Sequence, residues 1–153
     1  MPRTRLATPA DQARLLPLVR ELWHHERLEW DPERTPEALA RLLADPSLGR
    51  VWIAEDEDDG HAVGYLALCF GYSLEYLGRD AFVDEIFVED VCRGHGVGTQ
   101  LLAAAESACG ELGVEALHLE VDDTNPRAHE LYVRSGFEAH GRVLMTKRPK
   151  PAP

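Results

Sequence analysis

One stretch constrains the fold more than any other: Phe82 to Leu112, FVDEIFVEDVCRGHGVGTQLLAAAESACGEL. It reads as an apolar strand, a basic glycine-rich turn and a helix. Gly94, Gly96 and Gly98 stand at alternate positions, so the backbone can take positive φ and a ligand can approach the amides closely. Successive N–H groups in such a turn form a concave nest of positive partial charge. The free N–H groups and dipole of the following helix add to it, and Arg93 and His95 contribute formal charge. A phosphate or pyrophosphate is the natural guest, held by the segment from Arg93 through Gly94, His95, Gly96, Val97 and Gly98 to Thr99.

Two familiar phosphate motifs fail on spacing. A P-loop needs a lysine after its last glycine, and none follows. A dinucleotide fingerprint needs a third glycine where Thr99 or Leu101 stands. The spacing that fits is R-x-x-G-x-G, as Arg93, Gly96 and Gly98. A second pattern, N-x-x-A-x-x-L-Y-x-x-x-G-F, spans Asn125 to Phe137 one strand later. In this order the two motifs resemble the pyrophosphate turn and the second conserved segment of the GNAT family of N-acetyltransferases. The likeness is close from Phe82 to Phe137 and extends to the N-terminal half in element order alone.

That resemblance implies an α/β (α+β) fold: a mixed, largely antiparallel sheet flanked by helices, with a splayed pair of parallel strands forming an acetyl-CoA cleft. The cleft would lie between Asp84–Val88 and Leu117–Val121, with backbone near Ile86 and Val88 pairing to pantetheine. On a helix, Asn125, Ala128 and Tyr132 fall on one side. Asn125 can offer its amide to pantetheine, Ala128 lets a ligand chain pass, and by family likeness the Tyr132 phenol gives a proton to the leaving thiolate. None of the three cysteines sits where the motifs place the thioester, which favours direct attack by the amine over a ping-pong route.

An alkylammonium of pKa about 10.4 is only about 0.04% neutral at pH 7, a cost of roughly 4.6 kcal/mol before it can attack. A carboxylate can remove that proton. Alternation places Glu85 on one strand face with Val83 and Phe87, and Asp84 on the other with Ile86 and Val88. Glu120 shares a face with His118 in the later strand. Family members differ in their base, so the order Glu85, Glu120, Asp84 is a ranking that leaves all three open. Trp23, Glu26 and Trp30, with Tyr72 and Asp84, are candidate substrate contacts, although the segment from Trp23 to Asp31 reads equally as a solvated helix end.

The remaining sequence sets bounds. A chain of 153 residues, 44% hydrophobic, suits a single N-acetyltransferase domain over 1–148 with 149–153 as a disordered tail. The three scattered cysteines form no disulfide framework, and Glu29 stands where an HExxH zinc motif would need its second histidine. No metal is expected. The N-terminus has no apolar signal core and no run approaches a membrane span, so the expectation is a cytoplasmic protein with no membrane partner. A net charge of −11 argues against nucleic acid and favours a small cationic amine as acceptor. A protein N-terminus or lysine, or a coenzyme A sensor without turnover, are the rival readings. A homodimer is compatible with the sequence, but no interface signature requires one.

Periodicity and turn residues give the order β-α-α-β-β-β-α-β-α-β-β. The first helix opens at Thr8-Pro9, with a kink or a later start at Pro17. The segment from Tyr72 to Asp80 reads as a turn, Ala116–Val121 as a strand, and Phe137–Ala139 with Arg142–Lys147 as a last strand pair.

Overall fold

The computed structural model describes residues 2–153. The chain runs β1 (Arg3–Leu6), α1 (Gln12–His25), α2 (Arg34–Ala44), β2 (Gly49–Glu55), β3 (Ala62–Ser73), β4 (Gly78–Val88), α3 (Val97–Glu111), β5 (Ala116–His118) and α4 (Pro126–Arg134). The strands form one sheet in sequence order, antiparallel from β1 to β4 and parallel between β4 and β5. Strands β2 to β4 are apolar on both faces, so both must be covered. One face packs Tyr65, Ala67, Ile53 and Phe87 against Leu15, Leu18 and Val19 of α1 and Leu39 of α2. The other packs Leu66, Leu68, Ala81 and Val83 against Val97, Leu101, Leu102 and Ala105 of α3.

The first helix opens as expected at Thr8-Pro9, through a 3-10 turn at Pro9–Asp11. The Asp11 carboxylate accepts the Thr8 N–H at 2.8 Å and both ends of the Arg5 guanidinium at 2.8 Å, tying β1 to the helix start. Helix α1 then continues across Pro17 without a later start. Pro17 lies close to the N-terminus, so only one bond of the ladder is lost.

Three expectations are corrected. The segment from Tyr72 to Asp80 is mostly strand: β3 reaches Ser73, β4 begins at Gly78, and Tyr72 pairs with Arg79. Strand β5 ends at His118 instead of Val121, because β4 supplies pairing only at Asp80–Phe82 before the two diverge. The last strand pair is not formed. Among the described residues no backbone hydrogen bond involves 138–153, and Val143, Leu144 and Met145 face solvent.

Candidate active site

The divergence of β4 from β5 makes the cleft. Beyond Phe82, β4 continues to Val88 with no partner on its β5 side, so a row of backbone groups faces an open V. This is the splayed parallel pair anticipated above.

At the wide end lies the glycine turn. Gly94 and Gly96 have φ of +80° and +84°, and Gly96 is the N-cap of α3. A β-carbon on Gly96 would meet nothing within 4 Å, so its glycine serves the backbone angle and leaves open space above. The helical ladder closes first from Gln100 N–H to the Gly96 carbonyl at 3.0 Å. The N–H groups of Val97, Gly98 and Thr99 therefore precede the ladder and point out of the helix end. That geometry fits a pyrophosphate. His95 and Thr99 are exposed at the same turn.

Arg93 is turned back toward the strand. Its Nε donates to the Val88 carbonyl at 2.8 Å, Nη1 pairs with Asp90 at 2.5 Å, and the guanidinium lies 5.6 Å from the Phe87 ring centre. The cation above the turn is Arg127 of α4, whose Nη2 would stand 3.1 Å from a β-carbon on Gly94. The sequence reading missed Arg127, although it occupies the third position of the Asn125 motif. Asn125 caps α4 by accepting the Ala128 N–H at 3.1 Å, which leaves its NH2 free of that bond. Four residues on from Ala128, Tyr132 is 9% exposed, with its ring 6.1 Å from Phe137.

At the narrow end the strand register has an irregularity that sets the chemistry. Ala67 faces Glu85 while the next β3 residue, Leu68, faces Val83, so Asp84 is an extra residue in β4. The bulge reverses the alternation read from the sequence. Val83 packs under α3 with Ile86 and Val88. Glu85 instead stands with Phe87 on the α1 side, where Trp23 Nε1 donates to its Oε2 at 2.5 Å and the Tyr65 hydroxyl to its Oε1 at 3.1 Å.

This carboxylate is pushed up to about 7. Burial is the main cause, with Asp84 and Glu26 adding repulsion and the Trp23 and Tyr65 hydrogen bonds opposing. Desolvation also raises Asp84. Burial and Glu26 raise Tyr132, so Glu26 lies within electrostatic reach of both Glu85 and Tyr132. Trp30 packs edge-on against Trp23 at 5.8 Å, closing this wall.

The structure thus brings Trp23, Glu26, Trp30, Asp84 and Glu85 into one neighbourhood, with Tyr132 within electrostatic reach of Glu26. It does not bring in Tyr72, which is exposed and seven residues along β3 from Tyr65, about 23 Å away. Glu120 is exposed and lies beyond the end of β5. Cys69 is nearer than the sequence suggested. It feels both Asp84 and Glu85, and burial with those charges pushes its thiol up to about 11, which keeps it protonated. Tyr65 was missed because its contact with Glu85 depends on strand register.

The cleft thus has helix-end amides open to an anion at one end and a half-buried carboxylate with a raised pKa toward the other, an arrangement suited to a group-transfer enzyme. The sequence profile of the Acetyltransferase (GNAT) family matches residues 16–137, and the chain belongs to that family. It is 31% identical over 141 residues to the thialysine N-epsilon-acetyltransferase of Bos taurus, covering 88% of this chain and 82% of the relative. An integron cassette protein from the mobile metagenome of Cole Harbour Salt Marsh shares the fold with a TM-score of 0.84 and 33% identity, over 97% of this chain and 91% of its own. AAC(6')-Iy, solved with the bisubstrate analog CoA-S-monomethyl-acetylneamine, superposes with a TM-score of 0.82 at 20% identity, over 98% and 99% of the two chains. Among the described residues no helix is long and apolar enough to cross a membrane.

Proposed function

We infer that this N-acetyltransferase moves the acetyl group of acetyl-CoA to the primary amine of a small cationic acceptor, by direct attack. The observation that carries the reading is Glu85, a half-buried carboxylate fixed by two hydrogen bonds and raised to about 7, with two further acids, Asp84 and Glu26, within electrostatic reach. At neutral pH such a group is half ionised and able to take a proton, the condition for an effective general base. Its fixed hydrogen bonds to Trp23 and Tyr65 orient the carboxylate. The surrounding negative charge draws in an alkylammonium, which must lose a proton here before its nitrogen is a nucleophile.

When bound, acetyl-CoA supplies an activated thioester. The amides of Val97, Gly98 and Thr99, with Arg127 and His95, would hold the pyrophosphate end. The open edge of β4 near Ile86 and Val88, together with Asn125 and Ala128, would take the amide-bearing arm like an added strand. Tyr132, kept protonated by burial and by Glu26, would supply its hydroxyl proton to the leaving thiolate. Cys69, also protonated, takes no acyl group.

The test is calorimetry with acetyl-CoA on the wild type and on Gly96→Glu, followed by thiol release with a panel of diamines, lysine and thialysine. Binding lost in the variant and turnover with a cationic amine support the reading. Binding without turnover on any amine would favour a sensor, and no binding at micromolar concentration would refute the site.

A further inference from the structure

We propose that the Asp80–His118 pair, with the rings of Phe82 and Tyr76, forms a distal subsite that holds a second cationic nitrogen of the acceptor, so that the acceptor is an extended diamine. The inference rests on the amine-acetylating reading above and concerns residues which that reading leaves unused. The sheet explains their placement. Ala81 and Val83 pack under α3, so Asp80 and Phe82 point to the opposite face, the face of Glu85 and Phe87. Strand β3 adds Tyr65, Ala67, Cys69 and Gly71 to that face, and Cys69 lies within electrostatic reach of Asp84 and Glu85. Strand β5 adds His118, paired with Phe82 on the last rung before the cleft opens.

The pair is built into the sheet. His118 Nε2 lies 3.2 Å from Asp80 Oδ2. A β-carbon on Gly71, across the ladder, would stand 2.6 Å from Asp80 Oδ1, so the glycine there leaves room for the carboxylate. The imidazole packs against the Phe82 ring at 4.7 Å between centres and the Tyr76 ring at 5.1 Å. No helix covers this end of the face, and Phe82 is 41% exposed. An aromatic face beside a carboxylate is the chemistry that holds an alkylammonium. With its Nε2 proton given to Asp80, His118 presents Nδ1 as an acceptor, and among the described residues that nitrogen has no other partner.

Charge and distance select the ligand. An anion on Phe82 would meet Asp80 on one side and Asp84 on the other, whereas a cation is attracted by both. Arg142, which approaches Tyr76, is itself held by Glu75 at 2.8 and 2.9 Å. The register gives the spacing: Glu85 faces Ala67, Phe82 faces Cys69 and Asp80 faces Gly71. Phe82 and Asp80 thus stand two and four rungs from Glu85, roughly 7–14 Å along the strand. One nitrogen at Glu85 and a second over Phe82 fit a single extended chain, with the small residues Cys69 and Gly71 leaving room alongside.

Steady-state kinetics with acetyl-CoA should compare 1,8-diaminooctane, whose length matches that span, with octylamine, which lacks the second nitrogen. The diamine should have the higher kcat/KM, on the order of tenfold. Asp80→Asn and Tyr76→Leu should each bring that ratio toward one. The second variant, in the hairpin turn, keeps the test open where the first disturbs folding. A merely structural role would lower both amines together and leave the ratio intact. Binding is also read without turnover: the His118 ring resonances, assigned by their loss in His118→Gln, should shift on titration with 1,8-diaminooctane and not with octylamine. Equal kcat/KM for the two amines, a ratio that survives both substitutions, or unmoved His118 resonances would overturn the subsite. So would a preference for lysine over 1,5-diaminopentane, which would mark a carboxylate site. The His118 shift without acetyl transfer to any amine would support the subsite and refute the acetyl-transfer reading alone.

Discussion

Replacing Glu85 with Gln should make the protein more stable and less active, with both effects tied to pH. The carboxyl lies near 7 in the folded protein against 4.5 for its ordinary value, so the folded state holds the proton more tightly than the unfolded chain. A group raised in this way contributes stability that is complete below the unfolded value and is lost as pH rises through the folded one. The shift corresponds to about 3 kcal/mol, at roughly 1.4 kcal/mol per unit. Gln keeps an oxygen for the Trp23 N–H and cannot ionise. It should therefore match the wild type near pH 4.5 and exceed it by up to about 3 kcal/mol at pH 8, a rise in Tm on the order of 5–10 °C for a chain of this size. Over the same range kcat should fall on the order of 100-fold or more, the usual contribution of a general base. Wild-type kcat should rise with pH through a limb near 7 that the variant lacks. Melting curves at pH 5 and pH 8 alongside pH–rate profiles measure both quantities. Equal melting shifts at the two pH values, together with an unchanged pH–rate profile, would refute the assignment of Glu85 as a buried, titrating base.

The neighbours of Glu85 should move that limb in opposite directions. Asp84→Asn removes a repelling charge and should shift it to lower pH, whereas Trp23→Phe removes a donor to the carboxylate and should shift it higher, both read from pH–rate profiles. Tyr132→Phe should lower kcat and leave the calorimetric affinity for acetyl-CoA nearly intact; equal turnover would remove the phenol from the mechanism. Arg127→Ala should weaken acetyl-CoA binding, on the order of tenfold for one charge-assisted contact of about 1.5 kcal/mol, without changing the melting temperature, whereas Arg93→Ala should also lower stability because its guanidinium is bound to Val88 and Asp90. Gly49→Ala should destabilise the fold by at least about 3 kcal/mol in denaturant titration, since the added carbon would lie 1.9 Å from the Leu68 carbonyl oxygen.

The glycine turn and the Asn125 segment were legible in the sequence because their information is local. Positive φ at Gly94 and Gly96, the cap at Asn125 and the exit at Gly136 depend on residues a few positions away. Helix α1 was legible at Thr8-Pro9 for the same reason, and its passage across Pro17 was not, because a proline near a helix start removes a single bond that packing of Leu15, Leu18 and Val19 easily outweighs. The last strands could not be read correctly from pattern alone. Arg142 to Lys147 has the composition of a strand, but a strand exists only where another offers its edge, and among the described residues the backbone of that segment has no bonded partner.

The acid pocket shows why site geometry is harder to read than fold. Sequence alternation counts every residue of β4 once and so places Val83, Glu85 and Phe87 on one face. Pairing with β3 skips Asp84, and that single extra residue turns Val83 under α3 while leaving Glu85 beneath Trp23 and Tyr65. The structure separates the three acids that the sequence could only rank. Glu120 stays in solvent, Asp84 sits at the bulge, and Glu85 alone is half-buried with two donors. A bulge also bends its strand and strengthens its twist. In β4 it falls two residues after the last residue paired to β5, Phe82, where the cleft begins to open. The residue that upsets the alternation is thus placed to do two things at once, moving Val83 off the face of Glu85 and starting the divergence that makes room beside it.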